Sequence, residues 1–148
     1  MHPNKKRLRR SMMFLNCQKP GLIKDPYIYK PDSIMLDLED AVAENQKDAA
    51  RYSLYHALQE IDYHGVERVV RINGLDTPHW KEDIRVCVAG GADTIRIAKT
   101  ETAQDVKNAR VTIFDKGALD CTLKARVECA VYRSNGVSEN LPWGGVIR

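Results

Sequence analysis

The segment that most restricts the fold is residues 32–42, DSIMLDLEDAV. Its apolar residues Ile34, Met35 and Leu36 are consecutive rather than alternating. Successive side chains of a strand point to opposite sides, so a strand with an unbroken apolar run must be covered on both faces. Two-sided burial is the environment of a parallel sheet, and it argues against a half-solvated antiparallel one here. The same run ends in three acids within four positions, Asp37, Glu39 and Asp40.

The flanking sequence repeats this arrangement. Residues 11–16, SMMFLN, predict a first strand, and residues 33–38 the second. Between them CQKPGLIKDPYIYKP carries three prolines and a glycine, which leaves room for only a short helix or turn. Residues 43–61 predict an amphipathic helix, with Ala50, Leu54, Leu58 and Ile61 on one stripe and Lys47 and Arg51 on another face. A third strand, residues 67–73, ends at Gly74. The next helix, PHWKEDIRVCVA, places Trp80, Ile84 and Val88 together and stops at Gly90-Gly91, because glycine takes the left-handed cap readily. Residues 93–99 form a fourth strand, and TETAQDV opens a further helix with Thr100 or Thr102 as N-cap. Repeated β-then-α units predict an α/β fold with a parallel sheet and right-handed crossovers. Such sheets keep their chemistry at the carboxyl ends of the strands. Asp37, Glu39 and Asp40 leave the second strand there, Arg71 and Asn73 the third, and Lys99 and Glu101 the fourth, so charged residues converge on one rim.

Composition limits the alternatives. With 148 residues, 43% of them hydrophobic, the chain can bury one core. Its net charge of +3 rests on Lys5, Lys6, Arg7, Arg9 and Arg10; removing those five leaves −2. The basicity therefore belongs to an arm, residues 1–10, read as solvated rather than as a nuclear address, and a nucleic-acid-binding body is not expected. Cys17, Cys87, Cys121 and Cys129 form no C-x-x-C pair and have no zinc spacing with His2, His56, His64 or His79. They read as reduced thiols of a cytoplasmic protein. The apolar stretch 11–15 is too short for a signal segment or a membrane span, so no membrane partner is expected.

Four blocks in order, LRRSMMF, DSIMLDLEDAV with KDAAR, VVRINGLDTP and GGADTIRIAKTETAQDV, resemble the citrate lyase beta subunit (citryl-acyl-carrier-protein lyase) of the HpcH/HpaI aldolase superfamily. The resemblance runs from about Leu8 to Val106. It implies the N-terminal half of a (β/α)8 TIM barrel, over residues 11–106, in a homo-oligomer. It also implies Mg2+-dependent cleavage of a citryl thioester to oxaloacetate and an acetyl thioester. Cleaving that carbon–carbon bond leaves an enolate and a new ketone, so a cation and a fixed guanidinium are needed to hold carboxylates and polarise oxygen. By resemblance Arg71 binds the substrate carboxylate, with pairing to the rim acids as the alternative. Asp37, Glu39 and Asp40 orient Arg71 or metal-bound water; the alternative for Glu39 and Asp40 is to complement the dipole of the following helix. Arg10 and Ser11 lie near the approach of the phosphopantetheine arm, and Lys99 and Glu101 belong to a rim block that could equally be an ion pair. Implied partners are an acyl carrier protein or coenzyme A thioester and the other citrate lyase subunits. The family's metal-ligand blocks, A-I-E-S and G-A-E-D, do not occur in this sequence, so no metal ligand is assigned. FLNCQKPG also departs from the family's F-V-P-G loop.

From Lys107 the character changes. VTIF, residues 111–114, predicts a strand, and apolar residues at every second position from 119 to 131 predict a half-exposed antiparallel strand. Residues 107–148 therefore read as a tail outside the family, either out of frame or forming a hairpin over the edge of the sheet. A full (β/α)8 barrel needs about 250 residues. The leading expectation is a lyase impaired by truncation. The alternatives are a malyl-coenzyme A lyase-like enzyme and a non-catalytic fragment docking on lyase subunits.

Overall fold

The computed structural model describes residues 9–115 and 126–131. The arm residues Lys5, Lys6 and Arg7, the alternation before residue 126 and the turn-rich stretch after 131 lie outside the described residues. Five strands form one sheet in the order β1-β2-β3-β4-β5: Met12–Asn16, Ser33–Asp37, Glu67–Ile72, Thr94–Thr100 and Arg126–Val131. Every neighbouring pair is parallel. Four helices connect them: α1 (Pro20–Ile23), α2 (Lys47–Glu60), α3 (Trp80–Gly90) and α4 (Ala103–Asp115).

β2 is buried at all five positions, as its unbroken apolar run requires. Ile34 and Leu36 join Val70, Ile72, Ile95 and Ile97 in a core covered by Leu54 and Leu58 of α2 and Ile84 and Val88 of α3. The intervening residues point to the other face. Strand register aligns Phe14, Met35, Val69 and Thr94 in one row across that face, and Asn16, Asp37, Arg71 and Arg96 in the next row towards the carboxyl ends. The second face is therefore mixed: Met35 and Val69 are fully buried, while charged residues occupy its ends. Arg9 donates to Glu67 (2.6 Å), and Thr94 Oγ1 donates to the same carboxylate at the amino edge. Arg9, read as part of a solvated arm, is thus a buried ion-pair partner of the folded body.

Two elements differ from the sequence expectation. VTIF is helical, not a strand, and α4 runs through the junction expected at 106–107. A capping box nucleates that helix: Thr102 Oγ1 accepts from the Asp105 N–H (3.2 Å) and Asp105 accepts from the Thr102 N–H (2.8 Å). Four residues of strand propensity do not outweigh a helix already started. The segment 126–131 is a parallel strand, not an antiparallel one or a hairpin. Alternation reports which faces are covered; direction is set by α4, which returns the chain to the amino edge so that the next strand must run with β4.

α2 and α3 meet at a glycine. Gly91 takes the left-handed conformation (φ 78°), and its N–H closes α3 on the Cys87 and Val88 carbonyls. Gly90 is different: a Cβ there would lie 2.8 Å from Leu58 Cδ1 and 3.2 Å from Leu58 Cβ. Gly90→Ala should gain about 1 kcal/mol of helix propensity but lose about 1–3 kcal/mol to overpacking. The net expectation is a lower urea midpoint, with the penalty removed in a Leu58→Ala background in a double-mutant cycle. A raised midpoint in Gly90→Ala alone would show that Leu58 yields freely.

Candidate functional site

The carboxyl ends of β2, β3 and β4 carry a compact ionic rim. Register places Asp37 directly beside Arg71. Arg71 Nε donates to Asp37 Oδ1 at 2.9 Å and Nη2 to Oδ2 at 2.6 Å, a bidentate fork. The third nitrogen, Nη1, lies 3.0 Å from Glu39 Oε2 and 3.9 Å from Asp40 Oδ2. Lys99 Nζ closes the rim from β4, 3.2 Å from Glu39 Oε1 and 3.8 Å from Asp40 Oδ1. Three carboxylates thus meet two cations. Hydrogen bonding to Asp37 raises the Arg71 pKa, and the neighbouring Glu39 carboxylate raises that of Lys99. The Phe14 ring lies 5.6 Å from the Arg71 guanidinium carbon and is half exposed. Lys99 has φ of 50°, a left-handed conformation that costs a non-glycine residue energy, beside an irregularity in the β4–β5 register. Strain of that kind concentrates at functional positions.

A buried polar network supports this rim from the helix side. Lys47 Nζ donates to the Leu38 carbonyl (2.8 Å), the Glu39 carbonyl (2.8 Å) and Asn73 Oδ1 (2.7 Å). Asn73 Nδ2 donates to Leu38 O and Asp83 Oδ2, and the Asn73 N–H donates to the same Asp83 oxygen. Asp83 Oδ1 accepts from Arg51 Nη1 at 2.8 Å. Lys47 and Arg51, read from sequence as a separate helix face, are therefore buried. The available signal was their spacing four apart just after the acidic loop; what they meet lies up to 32 residues away and is invisible to periodicity.

The other candidates are elsewhere. Arg10 and Ser11 sit at the amino edge of the sheet, the end opposite Arg71. The Arg10 N–H, Nε and Nη2 all donate to Asp32, as does the Ser11 N–H (3.1 Å). The structure does not bring them to the rim. Glu101 is exposed and does not pair with Lys99; its N–H donates to Asp105. Arg10 holds the Asp32 carboxyl down to about 2 from its ordinary 3.8. A carboxyl depressed in the folded state stabilises above its unfolded pKa, and that contribution is lost as pH falls from 3.8 through about 2. Asp32→Asn should flatten the denaturant midpoint over that interval; an unchanged slope would remove Asp32 from the acid response.

A divalent cation does not fit this rim as it stands. Among the described residues no group of three or more His, Cys, Asp or Glu side chains is arranged to hold a metal. Mg2+ demands a near-octahedral set of oxygens. Here the carboxylates of Asp37, Glu39 and Asp40 already face Arg71 and Lys99. Glu39 Oε1 is buried without a hydrogen bond of good geometry, but its ionic contact to Lys99 occupies it. Cys17 and Cys87 are buried free thiols whose pKa values are pushed up by burial. No helix among the described residues is long and apolar enough to cross a membrane.

A parallel sheet with crossover helices and a charged carboxyl rim defines the class: an α/β protein, a class whose ligand sites lie outside the carboxyl ends of the strands. Comparison narrows the class. The profile of the HpcH/HpaI aldolase/citrate lyase family matches residues 10–128, and the chain belongs to that family. It is 56% identical over 112 residues to the citrate lyase subunit beta of Leuconostoc mesenteroides subsp. cremoris, covering 76% of this chain and 37% of that protein. Identity is 44% over 106 residues to the Escherichia coli K12 subunit, covering 72% and 35%. Among solved structures, the Mycobacterium tuberculosis citrate lyase beta subunit complexed with oxaloacetate and magnesium superposes with a TM-score of 0.63. It is 26% identical and is matched over 86% of this chain and 51% of that one. The chain thus spans about a third of the length of the curated relatives it matches.

Proposed function

We propose that this chain carries the carboxylate-binding part of a citrate lyase beta-type carbon–carbon lyase, acting on a citryl thioester to give oxaloacetate and an acetyl thioester. The observation that supports it best is Arg71 on the carboxyl rim of the sheet. Asp37 holds two of its nitrogens and fixes the plane of the guanidinium. The third, Nη1, faces Glu39 and Asp40, the contacts an incoming carboxylate would displace. Lys99 adds a second cation within reach of the same acids. A dicarboxylate such as oxaloacetate would compete with Glu39 and Asp40 for two cations that the rim already holds in place. Mg2+ is suggested by the relatives alone, the Mycobacterium tuberculosis citrate lyase beta subunit being complexed with oxaloacetate and magnesium.

The test is titration calorimetry of the chain with oxaloacetate, with and without Mg2+, followed by assay with citryl carrier protein and with malyl-coenzyme A. Oxaloacetate binding and release from the citryl thioester are expected. Cleavage of malyl-coenzyme A alone would favour a malyl-coenzyme A lyase-like activity. A non-catalytic role, docking onto full-length lyase subunits, is the second reading. The self-paired rim cations favour it, and it predicts co-purification with the other subunits but no oxaloacetate release. A shifted coding frame in the tail is tested separately, by resequencing past codon 106 and searching the other frames for A-I-E-S and G-A-E-D blocks.

A further inference from the structure

We propose that Lys47 is the positioning residue of the acidic rim: its ammonium, gripping two successive backbone carbonyls, sets where the Glu39 carboxylate meets Arg71. An ammonium has three hydrogens and accepts nothing. All three are used here, on Leu38 O, Glu39 O and Asn73 Oδ1, at 2.7–2.8 Å. Consecutive carbonyls of an extended chain point in opposite directions, so converging them on one point forces the turn that follows β2. That turn is what swings Glu39 back over Arg71. The Glu39 N–H is held from the other side by Asp37 Oδ1 at 2.9 Å. Backbone clamps thus bracket Glu39, one from the helix layer and one from the sheet. The cradle of three neutral oxygens is filled by the protein's own ammonium.

Lys47 does not touch Arg71, so its effect must travel through the loop. Asn73 and Asp83 make the cradle stiff, because Asn73 Oδ1 is itself oriented by the bonds of Asn73 Nδ2 to Leu38 O and Asp83. A role in core stability alone would loosen the whole chain; a positioning role loosens the rim first. The significance of this device for substrate binding rests on the lyase reading, but the geometry does not.

The experiment is time-resolved phenylglyoxal modification of the folded chain, mapped by peptide mass spectrometry at Arg71, Arg68 and Arg85. Arg68 pairs with Asp93 away from the rim, and Arg85 with Glu82 on the surface. Lys47→Met keeps the stem and removes the donors. It is expected to raise the Arg71 rate at least about fivefold with Arg68 and Arg85 unchanged, the loss of one charge-assisted contact. An unchanged Arg71 rate, or Arg68 rising in step with it, overturns the proposal. If Lys47→Met does not fold, Lys47→Arg replaces it: charge is kept, but a planar guanidinium spreads its donors over three nitrogens and cannot send them to three oxygens from one point. A selective rise at Arg71 is again expected, and no rise overturns the proposal. Protection of Arg71 by oxaloacetate in the wild type is read in the same samples. Absence of protection together with a selective rise in the variant would count against the lyase reading and leave the positioning role standing.

Discussion

Asp83→Ala is expected to destabilise the chain by about 3–5 kcal/mol, the largest loss from any single rim-supporting side chain. Asp83 is fully buried. One oxygen accepts from both the Asn73 N–H and Asn73 Nδ2, and the other accepts from Arg51. Truncation strips the partners from a backbone donor, an amide and a guanidinium that is itself buried. The cost is that of leaving these groups unpaired, well above the net worth of three bonds. Asp48, which also accepts from Arg51, lies at the surface and cannot replace a partner in the interior. The measurement is urea unfolding with the slope held as a check on the denatured state. A midpoint within error of the wild type would mean that water enters and satisfies the site.

Arg71→Ala and Arg71→Lys are expected to separate structure from binding. Removing the guanidinium leaves Asp37, 3% exposed at its side chain, without its fork. Because Arg71 itself is 18% exposed, the penalty falls below that of a fully buried pair, to about 2–3 kcal/mol. Arg71→Lys keeps the charge and should hold stability within about 1 kcal/mol of wild type. An ammonium cannot bind Asp37 and an incoming carboxylate with two parallel pairs of bonds, so oxaloacetate affinity should fall at least about tenfold. Unchanged affinity in a folded Arg71→Lys would take Arg71 out of the binding site. A collapse of stability in Arg71→Lys would instead mark the residue as chiefly a tie between β2 and β3.

Much of the rim was legible in sequence, and the part that was not has a definite cause. The β-then-α repetition placed Asp37, Arg71 and Lys99 at strand ends, and the parallel sheet brings those ends together. Arg71 had two sequence readings, substrate contact and pairing with the acids; the structure shows the pairing, which leaves Nη1 as the end a substrate would compete for. Arg10 and Ser11 are expected, from the LRRSMMF block alone, near the approach of the phosphopantetheine arm. The start of a parallel strand lies at the edge opposite its end, so they pair with Asp32 instead. Lys47, Asn73 and Asp83 were missed as a unit. Each belongs to a different element, and amphipathic periodicity records that a face is buried without recording what it meets.

Local features are legible in the sequence: the two-sided burial of β2, the stripe of Ala50, Leu54 and Leu58, the end of α3 at Gly90-Gly91 and the acids that follow β2. Those follow from side-chain period, backbone sterics and hydrophobicity, which act within a few residues. Tertiary structure alone decided that Arg71 meets Asp37 across 34 positions, that Lys47 is buried under Glu39, and that the strand at 126–131 runs parallel to β4. Those depend on register and on the path of the crossover helices, and a charge finds its partner only when the sheet has fixed both.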